Sequence, residues 1–185
     1  MPNIDLLSMH KLFLNNHIKP GGTVADFTMG NGHDTLWLSE KVGPSGKVYA
    51  FDIQPAALAS TEALLTSSDC PHNYQLILDS HANVEQYVKE PICAGMFNLG
   101  YLPGSDKTVT TLRASTMAAV EAALRLLEDD GGLLIAVYPG HEEGTLEGQM
   151  LTEFFAPLDR KKICVSQLRI VNSPTSPFFF LVEKR

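Results

Sequence analysis

Apolar residues at Ile4, Leu7, Leu12, Leu14 and Ile18, with Leu6, Met9 and Phe13 between them, form a broad stripe that fits a packed helix over Ile4 to Ile18. Pro20-Gly21-Gly22 stops it. Thr23 to Phe27 then reads as a short buried strand, and Gly30 to Val42 as a glycine-entered turn followed by a helix. The same alternation recurs downstream. Gly46 to Asp52 predicts a second strand, Pro55 opens a helix over Ala56 to Thr66, and Tyr74 to Leu78 predicts a third strand before a short helix at Asn83 to Val88. Ile92 to Leu99 is the fourth strand. Val120, Leu124 and Leu127 recur at helical spacing within a long segment, Thr108 to Glu128, and Leu133 to Tyr138 is a continuous apolar strand of the kind buried on both faces.

Strands and helices alternating at these lengths imply right-handed crossovers, hence an α/β protein with a mostly parallel sheet and helices on both faces. The ending breaks the rule. After a helix around Gly144 to Phe155, Lys161 to Ile170 and Phe178 to Lys184 both look like strands, separated only by Asn172 to Pro177. That turn is too short for a crossover, so the last two of the seven strands are expected to be antiparallel. In Phe178-Phe179-Phe180 the ring between two core rings must face the other side of the sheet. A length of 185 residues suits one domain spanning 1–185.

Chemistry concentrates where the first strand meets the first crossover helix. There Asp26-Phe27-Thr28-Met29-Gly30-Asn31-Gly32-His33-Asp34-Thr35 places two glycines where a backbone can pass close to a ligand, at a helix N-terminus whose open N–H groups receive a polar end. A dinucleotide fingerprint would need a third glycine at position 35, where Thr35 stands. Asp52 closes the second strand about 20 residues beyond the glycines, the place from which a carboxylate accepts hydrogen bonds from ribose hydroxyls. The combination favours a nucleoside-like ligand over glycines that serve packing alone.

With the antiparallel last strand pair, these residues resemble the Rossmann-like class I S-adenosylmethionine-dependent methyltransferases. More narrowly, the motifs at 26–35, Phe51-Asp52-Ile53-Gln54, Asp79-Ser80-His81, Asn98 to Gly104 and Tyr138-Pro139-Gly140-His141 resemble the small bacterial family named putative rRNA methylase, which includes the tRNA 5-aminomethyl-2-thiouridine methyltransferase. The resemblance implies S-adenosylmethionine as cofactor and, as substrate, the anticodon loop of tRNA, where the aminomethyl group of wobble uridine 34 is methylated. It also implies roles. Asp26, Gly30, Asn31, Gly32 and His33 form the first cofactor loop, and Asp34 and Thr35 open the helix. Asp52 takes the ribose hydroxyls, Gln54 flanks the adenine, and Ser80 and His81 close over it. Helix capping by Asp34 and Thr35, and a solvent-facing His33, stay open as alternatives.

Many amino-group methyltransferases carry Asn/Asp-Pro-Pro-Tyr/Phe after the fourth strand, where the amide or carboxylate accepts the substrate N–H and the ring stacks on its base. Here Asn98 and Tyr101 are present, and Leu99 and Gly100 replace the two prolines. Asn98 and Tyr101 are therefore the expected orienting pair for an acceptor nitrogen. His141 or Tyr138 is the candidate to accept or relay a proton, against a structural role for a loop histidine.

Charge limits how RNA is bound. The net charge of −7 argues against coating a nucleic acid by bulk electrostatics. It is unevenly spread, with 8 basic and 20 acidic side chains in 1–159 and 6 basic and 1 acidic in 160–185. In the expected topology Arg160, Lys161, Lys162, Lys184 and Arg185 fall at the sheet edge opposite the cofactor, so a small pocket-based RNA contact is predicted. Three widely spaced cysteines suit a reducing cytoplasm, no apolar run approaches a membrane span, and the six histidines show no metal-ligand spacing. The first helix offers a face for a homodimer or for the acceptor. Rival readings are a methyltransferase acting on rRNA or a small amine, a noncatalytic nucleoside-binding protein, and a nicotinamide dehydrogenase.

Overall fold

The computed structural model describes residues 6–100, 113–140 and 142–185. Its strands are β1 (Thr23–Asp26), β2 (Lys47–Asp52), β3 (Tyr74–Leu78), β4 (Ile92–Asn98), β5 (Leu127–Val137), β6 (Ile163–Leu168) and β7 (Phe178–Lys184). Its helices are α1 (Leu6–Leu14), α2 (His33–Val42), α3 (Pro55–Ser67), α4 (Val84–Tyr87), α5 (Arg113–Leu126) and α6 (Glu142–Phe155), with a 3₁₀ turn at His81–Asn83. The seven strands form one sheet in the order β3-β2-β1-β4-β5-β7-β6. β1 to β5 pair in parallel, and β7 runs antiparallel to both β5 and β6. This is the expected Rossmann-like arrangement.

Alternation within the strands feeds two cores. On one face Leu133, Ile135, Val137, Phe178, Phe180 and Val182 pack with Val84, Ala119, Val120, Leu151 and Phe155 from α4, α5 and α6. On the other, Leu134, Ala136, Phe179 and Leu181 pack with Leu14, Leu38 and Val42 from α1 and α2. The three consecutive phenylalanines thus divide between the two faces, as a period of two requires.

The boundary between α5 and β5 departs furthest from the sequence reading. The long helix ends at Leu126, and Leu127, whose position fits helical spacing, is instead a buried strand residue opposite Ile92. The register then jumps, with Ala94 facing Gly132, so the residues between Leu127 and Gly132 bulge out and Asp130 takes a φ of 64°. Glu128, Asp129 and Asp130 therefore lie in a strand irregularity and not at a helix end. They serve docking: Glu128 pairs with Lys19, and His17 Nδ1 lies 2.7 Å from the Asp130 carbonyl.

All parallel strands end at one edge, where Asp26, Asp52 and Asn98 stand. At the opposite edge Ile163 faces Lys184, and the Arg185 N–H donates to the Lys162 carbonyl at 2.8 Å. The basic ends of β6 and β7 are accordingly remote from the loops after β1, β2 and β4. Among the described residues no helix is long and apolar enough to cross a membrane.

Beneath the loop after β1, the Phe27 ring stacks on Phe97 with centroids 4.1 Å apart and on Phe51 at 6.2 Å. Gly95 makes room for that stack, because a Cβ there would sit 2.9 Å from the Phe27 ring and 2.8 Å from Leu133. Gly95→Ala is expected to destabilise the fold by about 1–3 kcal/mol through overpacking. Urea unfolding should show a lower midpoint at an unchanged slope.

Candidate active site

Asp26 ends β1 with 0% of its surface exposed, so both carboxylate oxygens must be satisfied inside the protein. Oδ1 accepts the Thr28 N–H at 3.1 Å and Oδ2 accepts the Thr35 hydroxyl at 2.6 Å. The strand end, the loop and the first turn of α2 are thereby tied to one group. Burial, reinforced by the nearby Asp34 charge, pushes the Asp26 carboxyl up to about 7. Thr35 is fully buried, and neither it nor Asp34 caps α2. The cap position is Gly32, at φ 84°, without a side-chain hydrogen bond.

The glycine loop is held from two further elements. The Gly30 N–H donates to Asp52 Oδ2 at 3.1 Å, and the other Asp52 oxygen accepts the Gln54 N–H at 3.0 Å where α3 begins. From α3, Thr61 donates to the Gly30 carbonyl at 3.1 Å and Ser60 to Asn31 Oδ1 at 3.2 Å. A Cβ on Gly32 would lie 2.9 Å from Thr61, so glycine is required there for space as well as for its left-handed φ. His33 is exposed at the start of α2.

After β3, Asp79 accepts from the Tyr87 hydroxyl at 2.8 Å, from Asn83 Nδ2 at 3.0 and 3.1 Å, and from the Ser80 N–H at 2.7 Å. These bonds hold its carboxyl below the usual carboxylate range. Ser80 caps the 3₁₀ turn by accepting the Ala82 N–H. His81 is 8% exposed, with Nδ1 3.0 Å from the Phe27 carbonyl, and burial lowers its pKa. The ring is therefore neutral with its proton on Nδ1, directed at that carbonyl. Among the described residues its Nε2 is buried without a hydrogen-bond partner. A buried acceptor of this kind is costly unless something outside the chain donates to it.

Asn98, at the end of β4, is fixed at both backbone and side chain. Its N–H donates to Thr28 Oγ1 at 2.7 Å, and its Nδ2 donates to Asp34 Oδ2 at 2.5 Å. The Tyr138 hydroxyl donates to Asn98 Oδ1 at 3.3 Å. The next two residues explain why prolines are absent. The Leu99 N–H donates to the Ala136 carbonyl at 3.0 Å, extending the β4–β5 pairing, and Gly100 has a φ of 147°. Proline has no N–H to give and its ring locks φ near −65°, so neither position accepts it.

A family profile described as "Putative rRNA methylase" matches residues 48–184. The chain belongs to this family. It is 35% identical over 181 residues to the chloroplastic tRNA (mnm(5)s(2)U34)-methyltransferase of Arabidopsis thaliana, covering 91% of this chain and 65% of that protein, so it spans just under two thirds of that relative's length. Two bacterial crystal structures are similar throughout. The putative rRNA-methylase of Clostridium thermocellum superposes with a TM-score of 0.96 at 34% identity over 100% of both chains. A putative methyltransferase of Streptococcus mutans, crystallised with SAH, gives 0.88 at 38% identity over 98% of both.

In this rRNA-methylase family member the structure gathers Asp26, Gly30, Asn31, Gly32, Asp34, Thr35, Asp52, Gln54 and His81 around the ends of β1 and β2, with Asn98 joined to them through Asp34 and Thr28. Tyr101 and His141 lie outside the described residues. Thr28, Ser60, Thr61 and Lys11 carry contacts that sequence reasoning did not assign. Thr28 lies inside the first motif, whereas nothing in the spacing of the other three marks them. Among the described residues no three His, Cys, Asp or Glu side chains are grouped to hold a metal ion.

The raised Asp26 pKa has a consequence for stability. Between its unfolded value, 3.8, and about 7 the folded protein holds a proton that the unfolded chain releases, so this group favours folding most at low pH. That contribution is lost as pH rises through 7. Comparing urea unfolding of wild type and Asp26→Asn should therefore show the wild type losing about 2 kcal/mol relative to the variant between pH 5 and pH 8.

Proposed function

We propose that this protein is an S-adenosylmethionine-dependent N-methyltransferase whose acceptor is RNA, most specifically the 5-aminomethyl group of 2-thiouridine at tRNA wobble position 34, converted to 5-methylaminomethyl-2-thiouridine. The observation that carries the reading is Asn98 at the carboxyl edge of β4, its amide NH₂ committed to Asp34 so that Oδ1 is the end available to an acceptor N–H. Family membership and the Arabidopsis relative support the methyl-transfer and tRNA parts.

The cleft suits the cofactor. In our reading Asp52 would take the ribose hydroxyls, the glycine loop would give close backbone approach, and His81 Nε2, without a partner among the described residues, would accept a hydrogen bond from an adenine amino group or a ribose hydroxyl. Bound there, S-adenosylmethionine supplies a methyl group already activated on a sulfonium. The protein's share is then positioning. An ammonium has no lone pair, so the acceptor must be neutral; Asn98 Oδ1 would accept one of its N–H bonds and leave the nitrogen lone pair free for transfer. An amide oxygen takes no proton at neutral pH, so proton removal falls to another group, for which Tyr138 and His141 are our candidates.

The acidic surface suits a small footprint, a flipped or unstacked base held in a pocket with few phosphate contacts. Calorimetry should show binding of S-adenosylhomocysteine and none of NAD. Asn98→Ala is expected to reduce methyl transfer to aminomethylated tRNA by about 10²-fold while leaving S-adenosylhomocysteine affinity within about threefold. Equal loss of both would remove Asn98 from the acceptor side. Methyl transfer to unmodified rRNA in place of aminomethylated tRNA would replace the substrate assignment, and a salt dependence implying many phosphate contacts would contradict the pocket-based docking.

A further inference from the structure

Lys11 belongs to α1, an element outside the strand ends that build the cleft, yet its Nζ lies 2.7 Å from Asp34 Oδ1. The same ammonium sits 5.2 Å from the centroid of the Trp37 ring. Trp37 follows Asp34 by one turn of α2, so carboxylate and ring form a two-sided seat for the cation. The pair is only partly exposed, with side-chain accessibilities of 29% and 17%, so water screens it less than it would a surface ion pair.

The second oxygen of Asp34 is the one that receives Asn98 Nδ2, at 2.5 Å. A carboxylate only accepts hydrogen bonds, and with Lys11 seated on Oδ1 it is Oδ2 that meets Asn98, which must turn its NH₂ toward it. Oδ1 then faces the other way, where the Tyr138 hydroxyl donates to it. In the flipped amide, Oδ1 would face the carboxylate and two N–H groups would face the acceptor amine. Donors would then meet donors.

We propose that Lys11, acting through Asp34, is a positioning residue that sets which end of the Asn98 amide faces the acceptor nitrogen. The proposal rests on the reading of Asn98 given above, and it extends the site to α1. Lys11 touches neither acceptor nor cofactor in this scheme; it fixes the Asp34 carboxylate so that Oδ2 is presented to the Asn98 amide, where the flipped amide would set its own oxygen against a carboxylate.

The test has a spectroscopic and a kinetic arm. In protein labelled with ¹⁵N-asparagine, the Asn98 side-chain NH₂ signal, assigned by its loss in Asn98→Ala, is expected to move on Asp34→Ala and to move in the same direction on Lys11→Met, with Lys11→Arg close to wild type. In turnover of aminomethylated tRNA, Lys11→Met should lower kcat about tenfold with S-adenosylhomocysteine affinity within about twofold, and Lys11→Met/Asp34→Ala should be no worse than Asp34→Ala alone. An Asn98 signal unmoved by Lys11→Met overturns the proposal whatever the acceptor is. So does a kinetic loss that adds in full to that of Asp34→Ala, or a loss of cofactor affinity equal to the loss of kcat. If Asn98→Ala turns over normally while the signal shifts as expected, the orienting role of Lys11 stands and the acceptor role of Asn98 falls. Unfolding midpoints of the Lys11 variants within a few degrees of wild type separate these effects from loss of fold.

Discussion

A carboxylate sealed from water at the end of β1 sets the terms for the whole carboxyl edge. Asp26 cannot be left unsatisfied, and the groups that satisfy it are the Thr28 N–H of the loop and the Thr35 hydroxyl of α2. Those two bonds dictate how the chain leaves the strand and how the helix enters. Thr28, so placed, receives the Asn98 N–H from β4, and Gly30, on the same loop, gives its N–H to Asp52 from β2. One buried charge thus coordinates three strand ends, at a cost visible in its pKa near 7. The stacked rings of Phe27, Phe51 and Phe97 beneath it make the floor on which that loop is built.

The chain of polar contacts continues across the cleft from Lys11 to Asp34, Asn98 and Tyr138. Each member restricts the next. A fixed carboxylate demands a donor, the donor end of an amide determines where its carbonyl points, and the carbonyl is the group whose placement matters for an amine nucleophile. In a transfer whose electrophile arrives already activated, such placement is the greater part of what the protein has to supply.

Substitution of prolines by Leu99 and Gly100 belongs to the same logic. The Leu99 N–H is used by the β4–β5 ladder and the Gly100 φ of 147° is closed to proline, so neither position after Asn98 accepts one. The basic residues of the last two strands are equally explained by topology. An antiparallel β7 returns its Lys184 and Arg185 to the edge where β6 begins, away from the loops that carry Asp26, Asp52 and Asn98.

Much of this was legible in the chain itself, and for a definite reason. Period-two and helical hydrophobic patterns, punctuated by Gly and Pro, are local signals, and they locate β3 and β7 at their observed bounds and the other strands within a few residues, apart from β5, which begins six residues earlier than its apolar run. The short turn before Phe178 required the antiparallel last strand, and the glycine loop with Asp52 marked the ligand edge. The end of α5 was not legible, because Leu127 continues the helical spacing of Val120 and Leu124 and only its pairing with Ile92 makes it a strand residue. Nor was the buried state of Asp26, the burial of the His81 ring against the Phe27 carbonyl, or the reach of Lys11 to Asp34. The order and kind of elements, and which of their ends bear the site, follow from local pattern along the chain. Which side chains meet there, and how each amide, imidazole and carboxylate is oriented, emerge only from the fold, since they depend on partners far apart in the chain whose buried polar groups must satisfy one another.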